Sequence, residues 1–141
     1  MAVGEGRAVK ALFLQCSSFS YDCIRTALPN TLEEGGFTSY SNCAVVFISV
    51  EVEDDTRVAR AAKAIRRVAR NANTGVLILS GFAHLSDNLA SFDDSQLVLQ
   101  RLQQALRNNQ EWEVVTTPFG WHKTMSMTAL ADKWSQRFIT A

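Results

Sequence analysis

The apolar positions of this chain alternate between short continuous runs and stretches of helical period. Ala8 to Cys16 is apolar enough for a buried strand. Asn42 to Val52 is a stronger strand, with the β-branched and aromatic run Ala44-Val45-Val46-Phe47-Ile48 at its centre. Such unbroken hydrophobicity predicts a central strand covered on both faces. The period then changes: Val58, Ala61, Ala62, Ile65, Val68, Ala69 and Ala72 recur at helical spacing. Asp54, Asp55 and Thr56 offer capping chemistry at the start of this helix, and Asn73 and Gly75 stop it. Arg66, Arg67 and Arg70 near its end suit the helix dipole.

Val76-Leu77-Ile78-Leu79 predicts a second buried strand ending at Ser80-Gly81. A second helix starts near Asp93, Asp94 or Ser95 and turns Val98, Leu102, Ala105 and Leu106 inward. Trp112 to Thr116 reads as a strand broken by Pro118, Trp121 to Met127 alternates as a strand, and Ala129 to Phe138 reads as a short closing helix. Met1 to Arg7 reads as a loose end. Ser17 to Ser41 is the least regular region, with turns at Pro29-Asn30 and Gly35-Gly36. Its Ser18, Tyr21 and Tyr40 suit a lid or docking surface, and equally an ordinary connection with a short strand. Helices between strands return the chain for parallel pairing, and the adjacent late strands suggest an antiparallel pair. The expected architecture is α/β (α+β), a mixed sheet with helices packed on it, in a single domain over residues 1–141.

Composition changes this picture little. Fourteen Lys and Arg balance fourteen Asp and Glu, so bulk charge announces no nucleic-acid partner and any such contact needs a local patch. One stripe qualifies: Arg60, Lys63, Arg67 and Arg70 fall on one face of the first helix, which fits either phosphate contact or a solvated outer face. Cys16, Cys23 and Cys43 form no Cys-x-x-Cys pair and read as free thiols in a reducing compartment rather than metal ligands. No apolar stretch approaches the roughly 20 residues that span a bilayer, so the chain reads as soluble and cytoplasmic.

Candidate chemistry gathers where strands end. Lys123, between aromatic and imidazole neighbours, suits stabilisation of a developing oxyanion; a lysine whose stem covers apolar surface looks the same. His84 opens a loop after a buried strand, and it and His122 suit hydrogen bonding to substrate or proton transfer. Phe82, Phe119 and Trp121 offer stacking faces for a nucleobase, or plain core. Asp93-Asp94 read as helix caps. No Gly-x-Ser-x-Gly elbow or Gly-Lys-Ser/Thr phosphate loop is present.

Phe47-Ile48-Ser49-Val50-Glu51, Phe82-Ala83-His84-Leu85-Ser86 and Pro118-Phe119-Gly120 with Lys123 together resemble the archaeal-type editing domain of threonyl-tRNA synthetase. The similarity runs from the first strand to the last helix. It implies a fold like that of D-aminoacyl-tRNA deacylases, whose Gly-x-Pro-Gln motif is not found here, which favours the synthetase branch. The implied reaction is hydrolysis of the seryl ester at the 3′ end of tRNA(Thr), with the ribose 2′-OH helping to activate water and no metal or other cofactor. By position, Lys123 would hold the water and stabilise the oxyanion, and His84 would contact the seryl group. Ser49, Val50, Glu51, Phe82 and Ala83 would line the pocket, and Phe119, Gly120, Trp121 and His122 would lie against the terminal adenosine. His122 stands where relatives usually carry tyrosine, and the acid that follows the lysine aligns with Asp132. Chiral proofreading of D-aminoacyl-tRNA and a non-catalytic tRNA-binding module are the competing readings. The resemblance also implies the catalytic part of the synthetase as a partner, in cis or in trans. Relatives of this fold often dimerise, so the resemblance leaves a homodimer open.

Overall fold

The computed structural model describes residues 9–27, 31 and 34–141 of the chain. The expected loose end at Met1 to Arg7 and the turn at Pro29-Asn30 lie outside the described residues. Six strands and two helices follow in the order β1 (Lys10–Thr26), β2 (Phe37–Ser49), α1 (Val58–Ala72), β3 (Val76–Gly81), α2 (Phe92–Arg107), β4 (Glu113–Thr116), β5 (Trp121–Ala129) and β6 (Gln136–Thr140). Short 3-10 turns at Asp54–Thr56 and Ala83–Leu85 precede the two helices. The expected mixed sheet forms, ordered β4-β3-β2-β1-β5, with β6 also on β1. The β2–β3 and β3–β4 pairs are parallel, as crossover helices allow. Every pair made by β1 is antiparallel.

Two parts of the chain depart from the sequence expectation. Ser17 to Ser41 is not an irregular lid: β1 runs on to Thr26 and β2 starts at Phe37, so the two strands pair along most of their length. Phe19-Ser20-Tyr21-Asp22-Cys23 does alternate with period two, a strand signal masked by its serines. A register shift between Cys16 and Ser18 resets the alternation. Cys16, Phe19 and Tyr21 therefore join one buried cluster despite their uneven spacing. The second departure is the closing helix expected over Ala129 to Phe138, where the structure has a turn and then β6. Gln15 explains it. Its backbone carbonyl accepts from Leu130 N–H (2.8 Å), and its N–H donates to Ser135 O (2.7 Å). Its side-chain Oε1 accepts from Ser135 Oγ at 2.9 Å. The edge of β1 beyond β5 is thus completed by β6, which pairs with Lys10 through Leu14. Backbone groups left unpaired on that edge would outweigh the weak helical preference of a ten-residue segment.

Alternation in the central strands sorts the core onto two faces. Ala11, Phe13, Ala44, Val46, Ile48, Leu77 and Leu79 meet α1 and α2 on one side. Val45, Phe47 and Ile78 face the other side, in a cluster whose fully buried members all come from strands. The run from Ala44 to Ile48 is therefore buried on both faces, as its composition required. Asn73 ends α1 in the left-handed region at φ 59°. Ser91 caps α2 by accepting from Asp94 N–H, while Asp93 and Asp94 occupy the first turn, where the dipole favours acids. At α1 the expected cap differs: the N-cap is Arg57, and Asp54 instead accepts from Glu51 N–H at 2.6 Å within the preceding turn. Burial raises the Asp54 carboxyl above its ordinary value, with that amide and Arg57 pulling it down. The three cysteines are free thiols. Burial pushes Cys43 up to about 11, which leaves it protonated and unreactive at neutral pH.

Candidate active site

The parallel strands β2 and β3 end together beside the start of β5, and a pocket of about 350 Å³ opens there. Ile48 and Val50 form its floor; Gly81, Phe82 and Ala83 follow from β3; Phe92 and Ser95 enter from the first turn of α2; Phe119, Trp121 and Lys123 close the β5 side. A site outside the carboxyl ends of parallel strands is where open α/β sheets commonly bind ligands.

The wall after β3 is held by hydrogen bonds. Phe82 N–H donates to Ile48 O at 2.8 Å, which extends the β2–β3 contact past Gly81. Ser49 is fully buried; its Oγ donates to Phe82 O and accepts from Leu85 N–H at 3.1 Å. It therefore fixes the loop without presenting its hydroxyl to the pocket. Ser49→Ala leaves the Leu85 amide unpaired and is expected to destabilise the protein by about 1–3 kcal/mol, read as a lower midpoint in urea unfolding. An unchanged midpoint would mean that water replaces the hydroxyl. Glu51 is likewise buried and turned away from the cavity. It pairs with Lys10 Nζ at 3.1 Å and accepts from Ser86 Oγ, tying the strand end to the far side of the loop.

The β5 side depends on two glycines. A Cβ on Gly81 would lie 2.8 Å from Phe119 Cε1, so Phe119 occupies its place only because position 81 has no side chain. Phe119 also packs on Phe92 with ring centres 5.0 Å apart. Gly120 sits at φ 88°, and its carbonyl accepts from Ala27 N–H at 2.7 Å and from Thr31 Oγ1 at 3.1 Å. This turn sets the phase of β5. Trp121 and Lys123 face the pocket, and His122 between them faces outward, exposed. Of the four residues expected to lie against a terminal adenosine, Phe119, Gly120 and Trp121 line the pocket and His122 does not. Lys123 is half-buried, with Nζ 3.3 Å from Trp121 O.

His84 lies beside the pocket rather than in its wall. It is exposed on the 3-10 turn, with its ring edge-on to Phe82 at 4.9 Å. Asp132 is not brought to the site at all. Lys123 pairs opposite Cys23 and Ala129 opposite Cys16. The intervening strand is about 20 Å long at roughly 3.3 Å per residue, and Asp132 lies past its far end. β5 carries the chain away from the pocket, so Asp132 does not stand beside Lys123. Among the described residues no carboxylate and no imidazole lines the cavity, and no three His, Cys, Asp or Glu side chains converge as a ligand set. What remains is an apolar, aromatic recess with one ammonium and the positive end of α2. It suits a flat ring and a centre on which negative charge develops. Phe92 and Ser95 were not foreseen. The helix start at Asp93 was legible, but nothing local showed that its first turn would face Phe119.

Residues 9–140 match the family model described as the archaea-specific editing domain of threonyl-tRNA synthetase. A threonine–tRNA ligase of Staphylothermus marinus is 33% identical over 91% of this chain and 22% of its own length. A threonine–tRNA ligase editing subunit of Aeropyrum pernix is 32% identical over 84% of this chain and 28% of its own length. The chain thus spans under a third of each of these relatives. A solved structure described as a probable eukaryotic D-amino acid tRNA deacylase superposes over 95% of this chain and all of its own, with TM-score 0.63 and 8% identity. That likeness shows the fold.

Proposed function

Because the chain belongs to the archaea-specific editing-domain family of threonyl-tRNA synthetase, we propose that it hydrolyses serine from mischarged tRNA(Thr). The observation that carries this reading is Lys123 in the wall of an aromatic pocket whose described lining holds no carboxylate or imidazole. A site so built has a group to stabilise an oxyanion but no side chain in its wall to deprotonate water. The missing base is then supplied by the substrate, whose terminal ribose carries a 2′-OH next to the ester. Water adds to the ester carbonyl and passes its proton by way of that hydroxyl to the departing 3′ oxygen. The C–O ester bond breaks, leaving free serine and a tRNA 3′-OH. The Lys123 ammonium steadies the negative oxygen in between. Phe119 and Trp121 lie against the terminal adenine, and His84, beside the rim, contacts the seryl group. The tRNA and the catalytic body of the synthetase are the partners of this reaction.

The need for a second site is physical. Serine and threonine differ by one methyl group, worth only about 1–3 kcal/mol of discrimination in a pocket. The deciding experiment follows deacylation of L-seryl-, L-threonyl- and D-seryl-tRNA(Thr) by this chain. The L-seryl ester is expected to be lost about 10–200-fold faster than the L-threonyl ester, the range one methyl group allows. Equal rates on the two L-esters would defeat the serine-editing reading. Preference for the D-ester would make the protein a chiral proofreader.

A further inference from the structure

A second surface is available for the same substrate. Helix α1 carries five cations, Arg60, Lys63, Arg66, Arg67 and Arg70, and no acid, in a chain of zero net charge. Two of these are occupied: Arg70 pairs with Glu111 at 2.5 Å, and Arg66 donates to Ala105 O at 3.0 Å. Arg60, Lys63 and Arg67 are exposed and form no salt bridge among the described residues. The tertiary fold then adds to them. The turn before β6 brings Trp134 against α1, with Arg67 5.8 Å from its ring centre and Arg137 4.0 Å from it. Two guanidinium groups thus share one indole without a carboxylate between them. Lys133, exposed on the same turn, adds a further cation. Asp132 is the one acid in this turn, and no salt bridge joins it to Lys133 or Arg137. Like charges gathered this closely repel, and a bound polyanion relieves that repulsion.

We infer that this seam between α1 and β6 docks the phosphate backbone of the tRNA whose 3′ end enters the pocket, an inference that rests on the function proposed above. The seam is groove-shaped, bounded by Ala64 and Val68 on α1 and by Ile139 on β6. It also starts at the right end of the molecule. Thr140 of β6 pairs with Lys10, and Lys10 pairs with Ser49 at the pocket end of β2. Arg60 lies in the first turn of the helix that leaves that end. From Arg60 to Arg67 the stripe extends about 10 Å at roughly 1.5 Å per residue, long enough to meet more than one backbone phosphate. RNA suits the face better than an acidic peptide, because spaced cations and a guanidinium-flanked ring match a regular phosphate track.

The test compares the chain with the triple variant Arg60→Gln, Lys63→Gln, Lys133→Gln, whose replaced side chains are all exposed and make no described ion pair. Binding of uncharged tRNA(Thr) is followed by fluorescence anisotropy from 50 to 300 mM KCl. Turnover is followed in parallel on seryl-tRNA(Thr) and on 3′-seryl-adenosine, which is too short to reach the seam. The triple variant is expected to bind tRNA at least tenfold more weakly at 50 mM KCl. Its log–log salt slope should be shallower by about 2, at roughly 0.7–0.9 per lost phosphate contact. It should keep wild-type turnover of 3′-seryl-adenosine, and Arg101→Gln on α2 should bind as wild type. Unchanged tRNA affinity and slope in the triple variant would overturn the proposal, as would polyglutamate competing as well as RNA. An equal fall on the short ester would also overturn it, by placing the defect in the pocket. If wild type hydrolyses neither ester yet binds tRNA through this face, docking stands and the deacylase reading falls.

Discussion

Lys123→Ala is expected to lower the turnover of seryl-tRNA(Thr) about 100- to 1,000-fold, the usual consequence of removing one oxyanion-stabilising group. The loss should appear in kcat, with KM little changed, because the ammonium contributes most once negative charge has developed on the carbonyl oxygen. On the reading proposed above, Phe119 and Trp121 still hold the adenosine end in the variant. Folding should survive, since Lys123 is only half-buried and lies on β5, the strand at the end of the sheet order. Lys123→Arg separates charge from shape. It keeps the cation but spreads it over a planar fork, and activity between that of alanine and wild type would assign the role to position as well as charge. Rapid-quench deacylation with thermal melts on the same samples makes the measurement. Wild-type kcat in the alanine variant would remove Lys123 from the mechanism and leave the 2′-OH and the α2 terminus to carry the chemistry.

Phe13→Ala should have the largest effect on stability. Phe13 is fully buried in the cluster beneath the helices, on the strand that pairs with β2, β5 and β6 together. Removing a buried phenyl ring costs about 3–5 kcal/mol, through lost transfer energy and the cavity left behind. For a domain of this size that lowers Tm by about 6–20 °C, at roughly 2–4 °C per kcal/mol. The neighbours of Phe13 across the strands are Val46 and Arg137, so the loss should also loosen β6 against the sheet. Hydrogen exchange resolves this: amides of β6 should open before those of β3. A drop of less than about 1 kcal/mol, well below the range for buried rings, would mean that the helices collapse into the gap.

Local sequence determined the central strands, both helices and the places where the site's walls would stand. Ala44 to Ile48 could only be a strand covered on two sides, and it is buried throughout. The apolar spacing of α1 and its stop at Asn73 left one solution, and Asn73 does take up the left-handed cap. Phe82, Ala83, Trp121 and Lys123 were legible as pocket residues because strand ends place them with little help from elsewhere. Tertiary structure decided what depended on distant partners. Gln15 drew the last segment into a strand where its own spacing suggested a helix, because an edge of β1 needed pairing. Strand phase, set by the turn at Gly120, sent His122 outward, and the length of β5 carried Asp132 away from Lys123. Ser49 and Glu51 belong to the motif but face Phe82, Leu85, Ser86 and Lys10 rather than the cavity. The direction of a side chain and its partner across the sheet depend on register, and register is a relation between segments that no single segment contains.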